Sequence, residues 1–136
     1  MTSLADACRK AKHVFIIGNG GSYANAVHIC NDLLSVGVKA YTLDPATLTA
    51  IANDYAYEVV FARWLAVVGE EGDLLVALSG SGTSKNIVNA IVEAEKIGME
   101  TMLVTDYLRT RDMQQSEEDQ IAWGHDAMKE LKCLRS

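Results

Sequence analysis

Short apolar runs alternate with segments whose apolar residues recur every three or four positions, and the alternation continues through most of the chain. His13-Val14-Phe15-Ile16-Ile17, Val38 to Leu43, Leu74-Leu75-Val76-Ala77-Leu78 and Thr101-Met102-Leu103-Val104-Thr105 read as strands. Continuous rather than alternating hydrophobicity marks strands covered on both faces, as in a parallel sheet. Helical spacing predicts helices over Tyr23 to Leu34, Glu58 to Val68 and Ile87 to Ile97, stopped near Gly37, Gly69 and Gly98. In the first of these, Ala26, Val27, Cys30, Leu33 and Leu34 are the expected sheet-facing side. In the second, the expected apolar side is Val60, Phe61, Trp64, Leu65 and Val68. Ala7 to Lys12 reads as the end of a short helix, and Pro45 to Tyr57 mixes turn and helical signals. Ser116-Glu117-Glu118-Asp119 reads as the start of a last helix, with a capping serine and acids in its first turn. The βαβαβαβ order predicts an α/β fold, a three-layer αβα sandwich around a parallel sheet of four to five strands. Neither repeat nor linker interrupts it, so residues 1–136 read as one domain.

Two strand ends carry glycine–hydroxyl loops, Gly18-Asn19-Gly20-Gly21-Ser22 and Ser79-Gly80-Ser81-Gly82-Thr83-Ser84. In parallel sheets ligands sit outside the carboxyl ends of strands, near a topological switch point. Backbone N–H groups, hydroxyls and the positive end of a helix converging on one point suit an anion, above all a phosphate. A helix cap alone requires one hydroxyl, and the second loop has four. The first loop lacks the last glycine of a dinucleotide fingerprint, and no GxxxxGK[ST] loop is present. A small phosphorylated metabolite therefore fits better than a nucleotide.

The charge balance sharpens this. Net charge is −6 with a pI near 4.9, so a nucleic-acid surface is not expected and a phosphate would be held by local donors. No apolar run approaches membrane-spanning length and the first residues lack a signal-peptide pattern, so a cytoplasmic protein is expected. Cys8, Cys30 and Cys133 are few, widely spaced and without a CxxC pair, as for reduced thiols rather than a disulfide frame.

Ser22, Asn25, His28 and Asp32 follow at intervals of three, three and four, so they share one helix face that starts at the first loop. A histidine and a carboxylate one turn apart serve as acid and base or as metal ligands; the alternative is an ordinary solvated face. On the last helix, Ile121, His125, Met128 and Leu131 or Lys132 form a stripe, in which His125 is either a functional or a core group.

Taken together, these residues resemble the SIS (sugar isomerase) domain family, with its flavodoxin-like fold, and in particular its phosphoheptose isomerase branch. The markers are Gly18-Asn19-Gly20-Gly21-Ser22, His28 with an acid four residues on, Asn53-Asp54-Tyr55-Ala56-Tyr57, and Ser79 to Asn86 following Gly72-Asp73. The resemblance implies interconversion of sedoheptulose 7-phosphate and D-glycero-D-manno-heptose 7-phosphate through an enediol, a step of heptose biosynthesis towards lipopolysaccharide. It implies Asp32 and His125 as the catalytic acid–base groups, Asp32 standing where the family has a glutamate. Asn19, Gly20, Gly21, Ser22, Asp54, Ser79, Gly80, Ser81 and Ser84 would bind the sugar phosphate. No cofactor is required by this chemistry. The resemblance also allows zinc at His28, Asp32, Glu117 and His125. It further implies a homo-oligomer, dimer or tetramer, in which Trp64 or Trp123 lies either at an interface or in the core. The alternative function is a non-catalytic sugar-phosphate-binding module, sensory or regulatory.

Overall fold

The computed structural model describes residues 3–105 and 113–133. Helix α1 (Leu4–Lys10) leads into strand β1 (Val14–Gly18), helix α2 (Gly21–Ser35) and strand β2 (Ala40–Tyr41). Helix α3 (Pro45–Asp54), a single 3-10 turn (Tyr57–Val59) and helix α4 (Val60–Val68) precede strand β3 (Leu74–Leu78). Helix α5 (Lys85–Ile97), strand β4 (Glu100–Val104) and helix α6 (Met113–Cys133) follow.

The four strands form one parallel sheet in the order β2-β1-β3-β4, with Val14 opposite both Ala40 and Leu74, and Gly18 opposite Leu78. Because strand side chains alternate, Val14, Ile16, Leu74, Val76 and Leu78 face α1, α2 and α6. Phe15, Ile17, Leu75 and Ala77 face α3, α4 and α5. Both faces are thereby covered, which is why β1 and β3 are apolar at every position. From β1 the chain crosses to β2 on one side; from β3 it crosses to β4 on the other. The switch point lies between β1 and β3, and both glycine–hydroxyl loops leave it.

Several expectations are corrected. Strand β2 is two residues long, because beyond Tyr41 the Thr42 hydroxyl donates to Ile16 O at 2.7 Å in place of a ladder bond, and Leu43 turns into the core. Pro45 to Asp54 is one helix, started by Asp44, whose carboxylate accepts from Thr47 N at 3.0 Å, and by a proline at its first turn. That N–H bond holds the Asp44 carboxyl below its ordinary value. On α2 the sheet-facing residues are Ser22, Ala26, Ile29, Cys30 and Leu33; Val27 and Leu34 lie outward. Val68 is likewise exposed at the end of α4. Ser116 does not begin α6, which already runs from Met113; it is buried inside the helix, and Gln115 Nε2 pairs with Asp119 Oδ1 across the turn. Trp64 packs edge-on to Phe15 at 5.3 Å and Trp123 against the α2–α6 core, so each is partly buried within its own chain.

Candidate functional site

The register Gly18↔Leu78 sets the loops after β1 and β3 side by side. Gly20 turns the first loop at φ 56°, a left-handed conformation that favours glycine. A Cβ on the neighbouring Gly21 would meet the Glu117 carboxylate, the end of a flexible side chain, so Glu117 lies close against this loop. Ser22, buried, accepts a hydrogen bond from Gln120 Nε2 at 3.1 Å; Gln120 in turn accepts from Asn25 Nδ2 at 2.9 Å. In the second loop Ser79 Oγ accepts from Gly82 N at 3.1 Å and Ser81 Oγ from Thr83 N at 3.2 Å. Ser84 stands at the N-cap of α5, yet its hydroxyl makes no cap bond. Gly80 lies against Ser116 Oγ, bringing the start of α6 onto the loop. Asn19 spends its amide on Asn86 and on Tyr57.

Further along α2, three groups from two helices converge. His28 Nε2 lies 3.2 Å from Asp32 Oδ2, His125 Nε2 lies 3.7 Å from the same oxygen, and the two Nε2 atoms are 3.1 Å apart. The helices can approach this closely because Gly124 faces Ile29 without a side chain of its own. Half of each imidazole is open to solvent and a quarter of the carboxylate is. A tetrahedral ion with bonds of about 2.0–2.1 Å separates its donors by roughly 3.3 Å, so the spacing fits zinc. Without a metal, the same contacts give a carboxylate between two imidazoles, an acid–base set.

Two expected residues lie apart from this cluster. Glu117 is two turns up α6, against Gly21. Asp54 ends α3 in solvent, where it accepts from Asn53 Nδ2 at 3.2 Å. Sequence reading gave no role to Gln120, Asn86 or Tyr57, although the last two lie within the quoted markers, because the partners of each are distant in sequence. It also missed Asp73, fully buried, whose oxygens accept from His13 N, the His13 ring and Glu70 N. Those N–H groups occupy Asp73 and give it a structural role at the start of β3. A cavity of about 500 Å³ lined by Arg9, Lys12, Lys39 and Leu131 opens at the opposite end of the sheet and touches none of the loop residues.

The fold is that of a doubly wound α/β domain whose two glycine–hydroxyl loops lie side by side at its switch point. A family model described as the SIS domain matches residues 1–106, and the chain belongs to that family. A phosphoheptose isomerase of Akkermansia muciniphila is 41% identical over 108 residues, covering 74% of this chain and 57% of its own. One from Sulfurimonas denitrificans is 43% identical over 102 residues, covering 69% and 52%. The chain thus spans about half the length of these relatives. Among solved structures, phosphoheptose isomerase from Neisseria gonorrhoeae superposes with a TM-score of 0.84 at 25% identity, covering 96% of this chain and 81% of its own.

Proposed function

We propose that this domain binds a phosphorylated sugar and interconverts its ketose and aldose forms, with sedoheptulose 7-phosphate and D-glycero-D-manno-heptose 7-phosphate as the pair. The supporting observation is the meeting of His28, Asp32 and His125, brought together from helices 97 residues apart in sequence. The phosphate is read to the loops at Ser79, Gly80, Ser81 and Ser84, with Gly20, Gly21 and Ser22 beside them. Six residues of α2 separate Ser22 from His28, about 9 Å of helix rise, which suits the reach of a phosphorylated sugar lying along the helix. Asp32 takes the proton from the carbon beside the carbonyl and returns it to the neighbouring carbon, while His125 exchanges the proton between the two oxygens. Asn19 and Asp54 are read as sugar-side residues, Asn19 acting through the loop it holds.

His28, Asp32 and His125 would hold zinc, with Glu117 displaced from them; a bound zinc supplies Lewis acidity at the carbonyl end of the substrate. Asp32 and His125 move the protons when no metal is held; a metal bound at His125 Nε2 and an Asp32 oxygen would take up the lone pairs that otherwise accept them. A homo-oligomer is supported by exposed Val67, Val88 and Val92 on α4 and α5. A cytoplasmic setting is supported by the free, buried thiols of Cys8 and Cys30; burial pushes Cys8 up to about 12 and Cys30 upward as well. Among the described residues no helix is long and apolar enough to cross a membrane.

The test is incubation with sedoheptulose 7-phosphate while aldose formation is followed. Turnover that disappears in Asp32→Ala and His125→Ala, with binding retained, is expected. Binding without turnover, unchanged in both variants, rejects the enzyme and leaves a binding module.

A further inference from the structure

Asn86 is the second residue of α5 and only 3% exposed, although polar and close to the loop surface. Its amide and that of Asn19 form a reciprocal pair, each Nδ2 donating to the other's Oδ1 at 2.9 Å. Tyr57 adds a third bond, its hydroxyl donating to Asn19 Oδ1 at 2.7 Å. The segment carrying Tyr57 is itself tied to α5, where Asn89 Nδ2 donates to Glu58 O at 3.0 Å. Asn19 belongs to the loop after β1; Asn86 follows the loop after β3. One side-chain pair therefore spans the switch crevice, and a strand spacing of roughly 4.8 Å is fixed again at the level of the loops, where no ladder bond reaches.

We infer that Asn86 is a positioning residue: through Asn19, and with Tyr57 as a brace, it sets the separation of the two loops so that donors from both meet one phosphoryl group. This rests on the reading of the loops as a phosphate site. The amide is suited to the task because it offers one donor and one acceptor in a plane. An aspartate at this position presents two acceptors, one of them against Asn19 Oδ1, and adds a negative charge beside the anion. Protonated, the same aspartate again has one donor and one acceptor and restores the pairing.

That difference gives a test that general loss of packing does not mimic. Asn86→Asp, Asn86→Leu and wild type are compared in hydrogen exchange of the two loops and in binding of inorganic phosphate and sedoheptulose 7-phosphate, from about pH 8 into the acid range. At pH 8 both variants are expected to bind about tenfold more weakly than wild type, the equivalent of one lost amide hydrogen bond. KM rises accordingly, while kcat stays within about twofold. The loops at 18–22 and 79–84 exchange faster, whereas amides of β1 and β3 keep wild-type protection. As acid protonates the introduced carboxyl, Asn86→Asp recovers towards wild type measured at the same pH, and Asn86→Leu does not. Wild-type exchange in both loops of Asn86→Asp and Asn86→Leu at pH 8 overturns the assignment. Exchange reads the clamp without any ligand, so failure of wild type to bind phosphate counts against the phosphate site and not against the clamp.

Discussion

Gly124→Ala separates the integrity of the His28–Asp32–His125 cluster from the stability of the fold. A Cβ on Gly124 would lie 2.8 Å from Ile29 Cγ1 and 3.0 Å from Ile29 Cδ1. Ile29 is 2% exposed and β-branched within a helix, so its χ1 has little freedom to swing away. Overpacking of this kind costs roughly 1–3 kcal/mol, and the better helix propensity of alanine offsets about 1 kcal/mol of it. The net loss is therefore about 0–2 kcal/mol, a fall in Tm of roughly 0–8 °C for a chain of this size. The geometric consequence is larger. To restore an ordinary carbon–carbon contact, α6 must draw back by almost 1 Å, carrying His125 with it while His28 and Asp32 stay on α2. A displacement of about 1 Å can cost a hundredfold in rate. Zinc affinity by competition with a chelating dye, turnover of sedoheptulose 7-phosphate and thermal unfolding are measured together. Activity and metal affinity should fall by one to two orders of magnitude while Tm moves little. Ile29→Ala in the same chain should restore part of both, with a coupling of about 0.5–3 kcal/mol in stability. Gly124→Ala that keeps zinc affinity and kcat within twofold of wild type, or a strictly additive double variant, refutes the argument.

Two further outcomes follow from single contacts. Ser84→Ala is expected to leave Tm unchanged, because the hydroxyl makes no cap bond, but to weaken phosphate binding. Ser79→Ala should lower both, since its Oγ holds Gly82 N, at about 1 kcal/mol in stability; calorimetric titration and melting check the contrast. Asp44→Ala tests the cap of α3. The folded carboxyl is held below its ordinary 3.8 by the Thr47 N–H, so its stabilisation is complete above that value and is lost as pH falls through the folded one. The Tm gap between wild type and Asp44→Ala should be constant from pH 5 to 8 and narrow progressively as acid takes the pH below the ordinary carboxyl value; a gap that does not narrow with acid contradicts the assignment.

Legibility followed burial. Strand β3 was readable residue for residue, as was the stop of α5 at Gly98, because a fully covered strand and a left-handed C-cap each leave an unambiguous local pattern. Strand β2 was overread, since at a sheet edge one partner is enough and a threonine hydroxyl can end the ladder early. The sheet-facing side of α2 was read correctly at Ala26, Cys30 and Leu33 but not at its edges. Ser22 and Ile29 are covered there while Val27 and Leu34 are not, and α6 packing beside α2 decides which of them meet solvent. Pairing of His28 with Asp32 was visible as an i,i+4 spacing. Its meeting with His125 came from the family resemblance alone, because nothing local fixes how α6 lies on α2. Gln120 and Asn86 escaped for the same reason: a buried polar side chain is justified only by its partner, and each partner is more than sixty residues away.

Helix α6 supplies His125, Gln120 and Glu117 without contributing a strand, and it is held chiefly by side-chain packing on α1 and α2. The lifetime of the assembled chemistry is therefore set by docking of one helix and not by the cooperative melting of the sheet. Warming should extinguish function through a sub-global opening, at a temperature where circular dichroism still reports an almost intact molecule.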